Sequence, residues 1–413
     1  MQRTMPGELI RKGDDAMRRG RPEEAADAYA QAARTSAHDR LRALCGLSAA
    51  SLELNEIECA LASACAASKC DPNSPQALFA LGKSYVAKRD FAAAHDVITL
   101  AVARRRASAP QPTARITIPA HYGLHNLEQL DRLIADGGIS VDSVTSHRTT
   151  SSELQAQLRA MIGESTDEPP WISVTGKDAV LLADIPYRRA EILPATEAIN
   201  SRVDLCSLDA SLQRAPAVAV VDDFLTPQAL GVIQAFCMDS TVWRRPYPRG
   251  YIGAFPENGF CDPTLFKLVA ELFDKIPGVF SKLRLTQWWC FVYDAELSGT
   301  DIHADDADLT VNLWITPDGA NREPGGGGIH IWNAIPPADW SFEQMNAGGE
   351  TIRSLLARQS AERIDIPYRE NRAVFFEGHL FHETAPARFH YGFTNRRRNI
   401  SLLFRRRPAR ARA

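Results

Sequence analysis

Over residues 6–105 small side chains return with a period of 34 residues, drifting by one. Glycine or serine recurs at Gly13, Ser48 and Gly82, and alanine recurs at Ala25, Ala60 and Ala94 and again at Ala32, Ala67 and Ala101. Larger residues such as Tyr29, Tyr85 and Ile98 lie between them, and Pro72 stands where one unit closes, with Ala37 at the weaker equivalent place. Such spacing predicts helix pairs that cross at the small positions. Residues 106–115 (ASAPQPTARI) carry two prolines and read as a linker. Leucines at 124, 127, 130 and 133 then resume helical spacing over 121–136. Residues 137–215 run from a Ser/Thr-rich stretch into a helix, then DEPPW and short apolar bursts, and fit either a connecting layer or a lid over a site. Beyond them AVAVVDDF (217–224) reads as a strand, and Thr226 caps a helix over 226–240 that has proline at its first position. A second amphipathic helix is predicted over 263–276, with strands at 284–294, 309–315, 328–332, 373–376 and 398–404.

The three phased units match the tetratricopeptide pattern, whose stacked helix pairs form a curved scaffold. Two roles stay open for it: a surface that holds a peptide, or a solubilising or dimerising cap. Short strands joined by glycine-rich or long connections predict a double-stranded β-helix, or jelly-roll, barrel with the two helices on one outer face. The expected fold class is therefore α+β and multidomain. Its expected parts are helical repeats over 1–105, a linker and connecting region over 106–215, the barrel over 216–405 and a basic tail over 406–413.

Forty-seven basic residues against fifty acidic ones leave a net charge of -3, which implies no nucleic acid as a general partner. The C-terminal RRRPARARA is the exception and reads as a solvated end. No apolar run reaches the roughly 18 residues of a membrane span, and the charge-dense N-terminus lacks the apolar core of a signal peptide. No membrane partner and a cytoplasmic location are expected. The eight cysteines form no CxxC pair, and Cys45, Cys59, Cys65 and Cys70 in alanine-rich helical sequence read as small buried apolar residues. Oligomeric state stays open.

Candidate chemistry is concentrated between residues 303 and 404. His303 and Asp305 stand two apart, so both side chains leave one side of an extended segment. His382 follows the apolar run at 374–376, and three arginines, Arg396, Arg397 and Arg398, open the last strand. Two imidazoles and one carboxylate suit a divalent metal with positions left for small ligands. A guanidinium pairs with a carboxylate in bidentate fashion, which suits an anionic co-substrate. The glycine run at 325–328 reads as a flexible turn, because no lysine, serine pair or βαβ context makes it a nucleotide loop.

This segment resembles the Fe(II)- and 2-oxoglutarate-dependent oxygenases. It is most similar to a subgroup in which tetratricopeptide repeats precede a prolyl-hydroxylase-like double-stranded β-helix. The phrases VNLWITPDGAN, GG-x-HIW, P-x-DW-x-F, PYR-x-NRAVFF, LFHET and NRR-x-N-x-S-LLF carry the resemblance, over residues 218 to 404. It implies Fe(2+) held by His303, Asp305 and His382, with 2-oxoglutarate and O2 as co-substrates, and it is compatible with stimulation by ascorbate. The family's F-x-x-x-x-x-H spacing from Phe376 selects His382 over His379, His330 and His390; the first two are expected behind the ligands or in the pocket wall. Relatives read NRR-x-N-x-S/T, which selects Arg397, in phase with Asn399 and Ser401, for the co-substrate carboxylate. Arg398 stands where relatives carry an aliphatic residue, so the choice among the three arginines is open. Tyr293 reads as a co-substrate contact or a core tyrosine, and Asn312 as a co-substrate hydrogen bond or a satisfied core amide. His125 also has a family counterpart and is read as structural. An aspartate at 305, where halogen-transferring members have a small residue, implies hydroxylation, with desaturation or cyclisation open. The implied enzyme is a dioxygenase acting on an aliphatic C–H of a peptide, protein or carrier-bound substrate recruited by the repeats. Alternatives are the same chemistry on a free small metabolite, and a non-catalytic adaptor with a cupin-like barrel.

Overall fold

The computed structural model describes residues 6–107, 115–139, 151–163, 169–175, 181–183, 185–295, 299–346 and 348–406. The chain divides into two compact units, one dominated by residues 1–109 and the other by residues 110–281 and 287–405.

The first unit is a row of six helices: α1 (Pro6–Arg18), α2 (Pro22–Thr35), α3 (Arg40–Glu53), α4 (Ile57–Cys70), α5 (Pro75–Lys88) and α6 (Phe91–Ala107). The small residues of the period sit where helices cross. Ala25, Ala32, Ala60, Ala67, Ala94 and Ala101 are all fully buried. A methyl group added at Gly13 or at Gly46 would fall 2.6 Å from the Tyr29 ring, so that one tyrosine fills the space both glycines leave. At Gly82 the added carbon would stand 2.5 Å from Ile98 Cγ1. Gly82→Leu is therefore expected to destabilise the protein by roughly 1–3 kcal/mol through overpacking. The readout is a lower thermal unfolding midpoint, and Ile98→Ala in the same chain should restore part of the loss. The cysteines divide in a way that composition did not indicate: Cys45 is buried and Cys65 half-buried, but Cys59 and Cys70 on α4 are exposed.

In the second unit β1 (Ile116–Pro119) pairs antiparallel with β2 (Trp171–Val174), and between them run α7 (Ala120–Ala135) and α8 (Ser151–Gly163). Every residue of α7 from Ala120 to Leu130 is buried, including His125, which packs between the rings of Trp243 at 5.8 Å and Phe393 at 5.2 Å. Burial pushes this imidazole's pKa well down, and neither ring nitrogen has a hydrogen-bond partner among the described residues. The linker at 106–115 and the Ser/Thr-rich stretch at 140–150 lie largely outside the described residues, as does the basic tail beyond Arg406.

Ten further strands build two antiparallel sheets. The larger contains β3 (Val218–Val221), β4 (Arg245–Tyr247), β5 (Tyr251–Ala254), β6 (Leu283–Tyr293), β7 (Leu309–Trp314), β10 (Ala373–Phe376) and β12 (Arg398–Arg406), in the order β3-β10-β7-β12-β6-β5-β4. The smaller contains β8 (Ile329–Trp332), β9 (Arg363–Ile366) and β11 (His382–Thr384), in the order β11-β8-β9. Crossing between sheets along the chain, with helices Pro227–Asp239 and Pro263–Lys275 packing their apolar faces into the same unit, is the expected double-stranded β-helix arrangement. Thr226 and Asp262 cap those helices through their side chains, each just before a proline. The sequence pattern did not indicate β1, β2, β4, β5, β9 and β11. All six are only three or four residues long and, unlike the equally short but all-apolar β3 and β10, each holds a polar residue, glycine or proline that hides the strand pattern. Among the described residues no helix is long and apolar enough to cross a membrane.

Candidate metal centre and anion pocket

His303 lies in the segment between β6 and β7, and a two-way backbone bridge ties it to His382: each amide donates to the other's carbonyl, at 3.0 and 2.8 Å. This bridge continues the small sheet past β11 and brings the two imidazoles together, ring centroids 4.3 Å apart. Two residues on, the Asp305 amide donates to the Gly378 carbonyl at 2.8 Å. That close approach requires glycine, since a Cβ at 378 would fall 2.5 Å from the Ala307 carbonyl oxygen. The ligand atoms of His303, Asp305 and His382 all lie within 4.8 Å of one another, the only such group of potential metal ligands among the described residues.

The donor set is prepared for a cation. His303 Nδ1 donates to the Asp301 carbonyl at 2.7 Å and His382 Nδ1 to the Leu380 carbonyl at 2.9 Å. With Nδ1 carrying the proton, each Nε2 presents a lone pair to the centre. Burial, reinforced by the neighbouring His303, pushes the His382 pKa down to about 4, so it is neutral at ordinary pH. Thr310 Oγ1 donates to Asp305 Oδ2 at 2.7 Å, which orients the carboxylate. Two imidazole nitrogens and a carboxylate on one side, with the opposite side open to a pocket, match the facial arrangement that leaves coordination positions for exchangeable ligands.

The pocket that opens from this triad is lined also by Tyr293, Asn312, Arg397, Asn399 and Ser401. All eight candidate site residues thus stand around one space. Arg397 is 3 % exposed, with its guanidinium over the Tyr293 ring at 4.5 Å. Its Nε donates to the Gly327 carbonyl at 2.5 Å and its Nη2 to the Gly328 carbonyl at 3.2 Å, while its Nη1 has no hydrogen-bond partner. No ion pair joins it to a carboxylate among the described residues, so a buried positive charge faces the pocket uncompensated.

Its two neighbours are otherwise engaged. Arg396 is neutralised by Glu128 of α7 at 3.0 Å and by Asp294 at 2.8 Å. Burial opposes its charge, but the two carboxylates more than offset this and raise its pKa. Arg398 donates to the carbonyls of Phe393, Thr394 and Arg396 and lies over the Phe393 ring at 4.9 Å. Asn399, Ser401 and Asn312 form a hydrogen-bonded row: Asn399 Nδ2 donates to Ser401 Oγ at 3.0 Å, and Ser401 Oγ donates to Asn312 Oδ1 at 2.7 Å. The β7–β12 register that opposes Ser401 to Asn312 makes the row possible.

His379 stands behind the triad, its Nδ1 donating to the Asp305 carbonyl at 3.1 Å. His330 is not in the pocket lining. It faces Glu383 at 3.2 Å and Asp365 at 3.6 Å across the small sheet. His390 is exposed. Sequence reasoning missed Thr310, although it shares its strand face with Asn312 by simple alternation. It also read the glycine run as flexible, whereas the carbonyls of Gly327 and Gly328 hold Arg397. Gly328 is packed so closely that an added Cβ would collide with the Ile366 carbonyl oxygen.

No protein-family model and no curated protein matches the chain. Solved structures do, each over part of the chain. The non-heme alpha ketoglutarate dependent epimerase SnoN from nogalamycin biosynthesis is 15% identical, with a TM-score of 0.36 over 49% of this chain and 83% of that one. It has also been determined in complex with Fe3+, alpha ketoglutarate and nogalamycin RO. EctD from S. alaskensis is 13% identical, with a TM-score of 0.33 over 54% of this chain and 84% of that one. The Sgt2 TPR domain from Aspergillus fumigatus is 23% identical, with a TM-score of 0.24 over 26% of this chain and 70% of that one.

Proposed function

We propose that the protein is an Fe(II)- and 2-oxoglutarate-dependent dioxygenase that hydroxylates an aliphatic C–H. The observation that carries this is the buried, uncompensated Arg397 opening on the same pocket as His303, Asp305 and His382. A cation without a carboxylate beside an open three-ligand set is suited to a dicarboxylate that reaches the metal with one end and the guanidinium with the other. Iron and 2-oxoglutarate, when bound, would supply the oxidising chemistry: O2 is consumed, succinate and CO2 leave, and C–H becomes C–OH. The chain's residues have positional tasks. Arg397 receives the distal carboxylate, with Tyr293 under its guanidinium. The Asn312–Ser401–Asn399 row offers polar contacts along the co-substrate, and the buried pocket excludes bulk water. Metal content of protein purified without oxygen tests the reading, and protein that takes up no iron would refute it.

For delivery of the substrate we propose that the helical repeats recruit it as a peptide, protein or carrier-bound group. A free metabolite entering directly, with structural repeats, is the second reading, favoured by the ring-rich lining beside the triad. Deleting residues 1–105 separates them, with retained iron binding as the check that the remainder folds. Recruitment predicts intact 2-oxoglutarate consumption but a raised KM for the substrate, since remote binding energy is lost. Unchanged kcat/KM would rule recruitment out.

A further inference from the structure

On β6 the side chains alternate between two very different environments. Trp288, Cys290 and Val292 point into the core and are 2 %, 0 % and 1 % exposed. Trp289, Phe291 and Tyr293 point the other way and line the pocket beside the metal ligands. Trp289 and Phe291 are only half-buried, so these rings do not fill a closed core. The ring surface continues sideways across the sheet. Tyr251 of β5 stacks on Tyr293 at 5.7 Å and meets Phe291 edge-on at 5.0 Å. Tyr247 of β4 stacks on Tyr251 at 4.5 Å with 10° between planes. Gly253, which pairs with Phe291, has no side chain to interrupt this surface: a Cβ there would fall 2.5 Å from Phe255 and 3.1 Å from Phe291. Burial raises the pKa of the Tyr247 and Tyr251 phenols, so both stay neutral.

We infer that this wall is a substrate subsite for a flat, ring-bearing apolar group, free or carrier-bound rather than a peptide segment, which lies against Phe291 and the ring edge of Tyr251 with its reacting carbon at the triad, and which thereby narrows the two delivery readings above. The inference rests on the oxygenase reading for the reaction, though not for binding. From Trp289 to Tyr293 and from β6 to β4 the wall spans roughly 13 by 10 Å, given strand rise and spacing, which is the footprint of a small fused-ring molecule. Ring edges favour edge-on contact with the face of a flat ring. An extended peptide would need main-chain hydrogen bonds as well, and the wall has none to give. The backbone of β5 is paired on both sides, and the sheet edge is β4, whose middle residue Pro246 has no N–H to add a strand. At the outer rim the Arg245 guanidinium lies over Phe255 at 5.1 Å and Tyr247 at 5.6 Å, a cation placed for an acidic substituent on the ring.

The test uses the full-length chain with 9,10-anthraquinone-2-sulfonate as probe, its binding followed by quenching of tryptophan fluorescence. Saturable binding is expected, weakened about three- to tenfold in Phe291→Ala and in Tyr251→Ala. Tyr247→Leu, at the half-buried rim, guards against a folding failure of the inner variants and should show a smaller loss in the same direction. Short linear peptides containing phenylalanine or proline are expected to bind no more tightly than free phenylalanine. Absence of saturable binding to the wild type overturns the inference. So does unchanged affinity in all three variants, or a peptide that binds more tightly than the probe and is lost in the same variants. Anaerobic calorimetric titration with Fe(II) and 2-oxoglutarate is run in parallel. Probe binding as expected without 2-oxoglutarate binding would leave the ring subsite standing and remove the oxygenase reading alone.

Discussion

His303→Ala and His382→Ala are each expected to abolish iron binding and the conversion of 2-oxoglutarate to succinate and CO2. Both imidazoles are fixed by Nδ1 hydrogen bonds to main-chain carbonyls, so each Nε2 is committed to the centre and no other side chain can swing in as a replacement. His379, the nearest alternative, is tied to the Asp305 carbonyl. Removing one of the three proposed ligands also leaves the Asp305 carboxylate beside a single imidazole, a much poorer site for a divalent ion. The measurements are iron per chain after anaerobic reconstitution and succinate formed in air. Because His303 is only half-buried, its alanine variant should keep the wild-type unfolding midpoint closely, so loss of activity there reports on the metal rather than on folding. Turnover that persists in both variants with iron omitted would sink the ligand assignment. Thr310→Val should produce a milder version of the same defect, since it frees the carboxylate to rotate without removing it.

Arg397→Ala is expected to weaken 2-oxoglutarate binding by about ten- to a hundredfold, the equivalent of roughly 1.5–3 kcal/mol for a charge-assisted hydrogen bond, while iron still binds. The neighbouring arginines provide the contrast. Arg396→Ala leaves Glu128 and Asp294 buried without their shared cation, an effect on the order of 3–5 kcal/mol on stability, so it should appear as a lowered unfolding midpoint. Arg398→Ala removes three bonds to main-chain carbonyls and a ring contact, and again the expected readout is stability. Calorimetric titration of co-substrate into the three variants, alongside thermal unfolding, separates the roles. Near-normal co-substrate affinity in Arg397→Ala, with selective loss in a neighbour that remains folded, would move the anion contact by one residue.

The sequence by itself determined the helical repeats, because their period is local: each small residue meets a partner in the same or the next helix, a few tens of positions away. Alternation likewise separated Arg397 from Arg396 and Arg398, and placed Asn399 and Ser401 on its face, since residues two apart on a strand share a side. The candidate metal ligands were legible for a different reason. His303 and Asp305 stand two apart in sequence, and the spacing of His382 from Phe376 is that of the family the segment resembles. Only the tertiary structure decided what each charge faces. Arg396 is compensated by a glutamate 268 positions away on α7, and Arg397 is held by carbonyls of a glycine run 69 and 70 positions away. No periodicity links such partners, because sheet order and register bring them together. The aromatic wall belongs to the same class. Trp289, Phe291 and Tyr293 could be read off one strand, but Tyr251 and Tyr247 join them only through the β6–β5–β4 pairing. The exposure of Cys59 and Cys70 has the same origin, since helical composition states what a residue tolerates and only packing decides which face is covered.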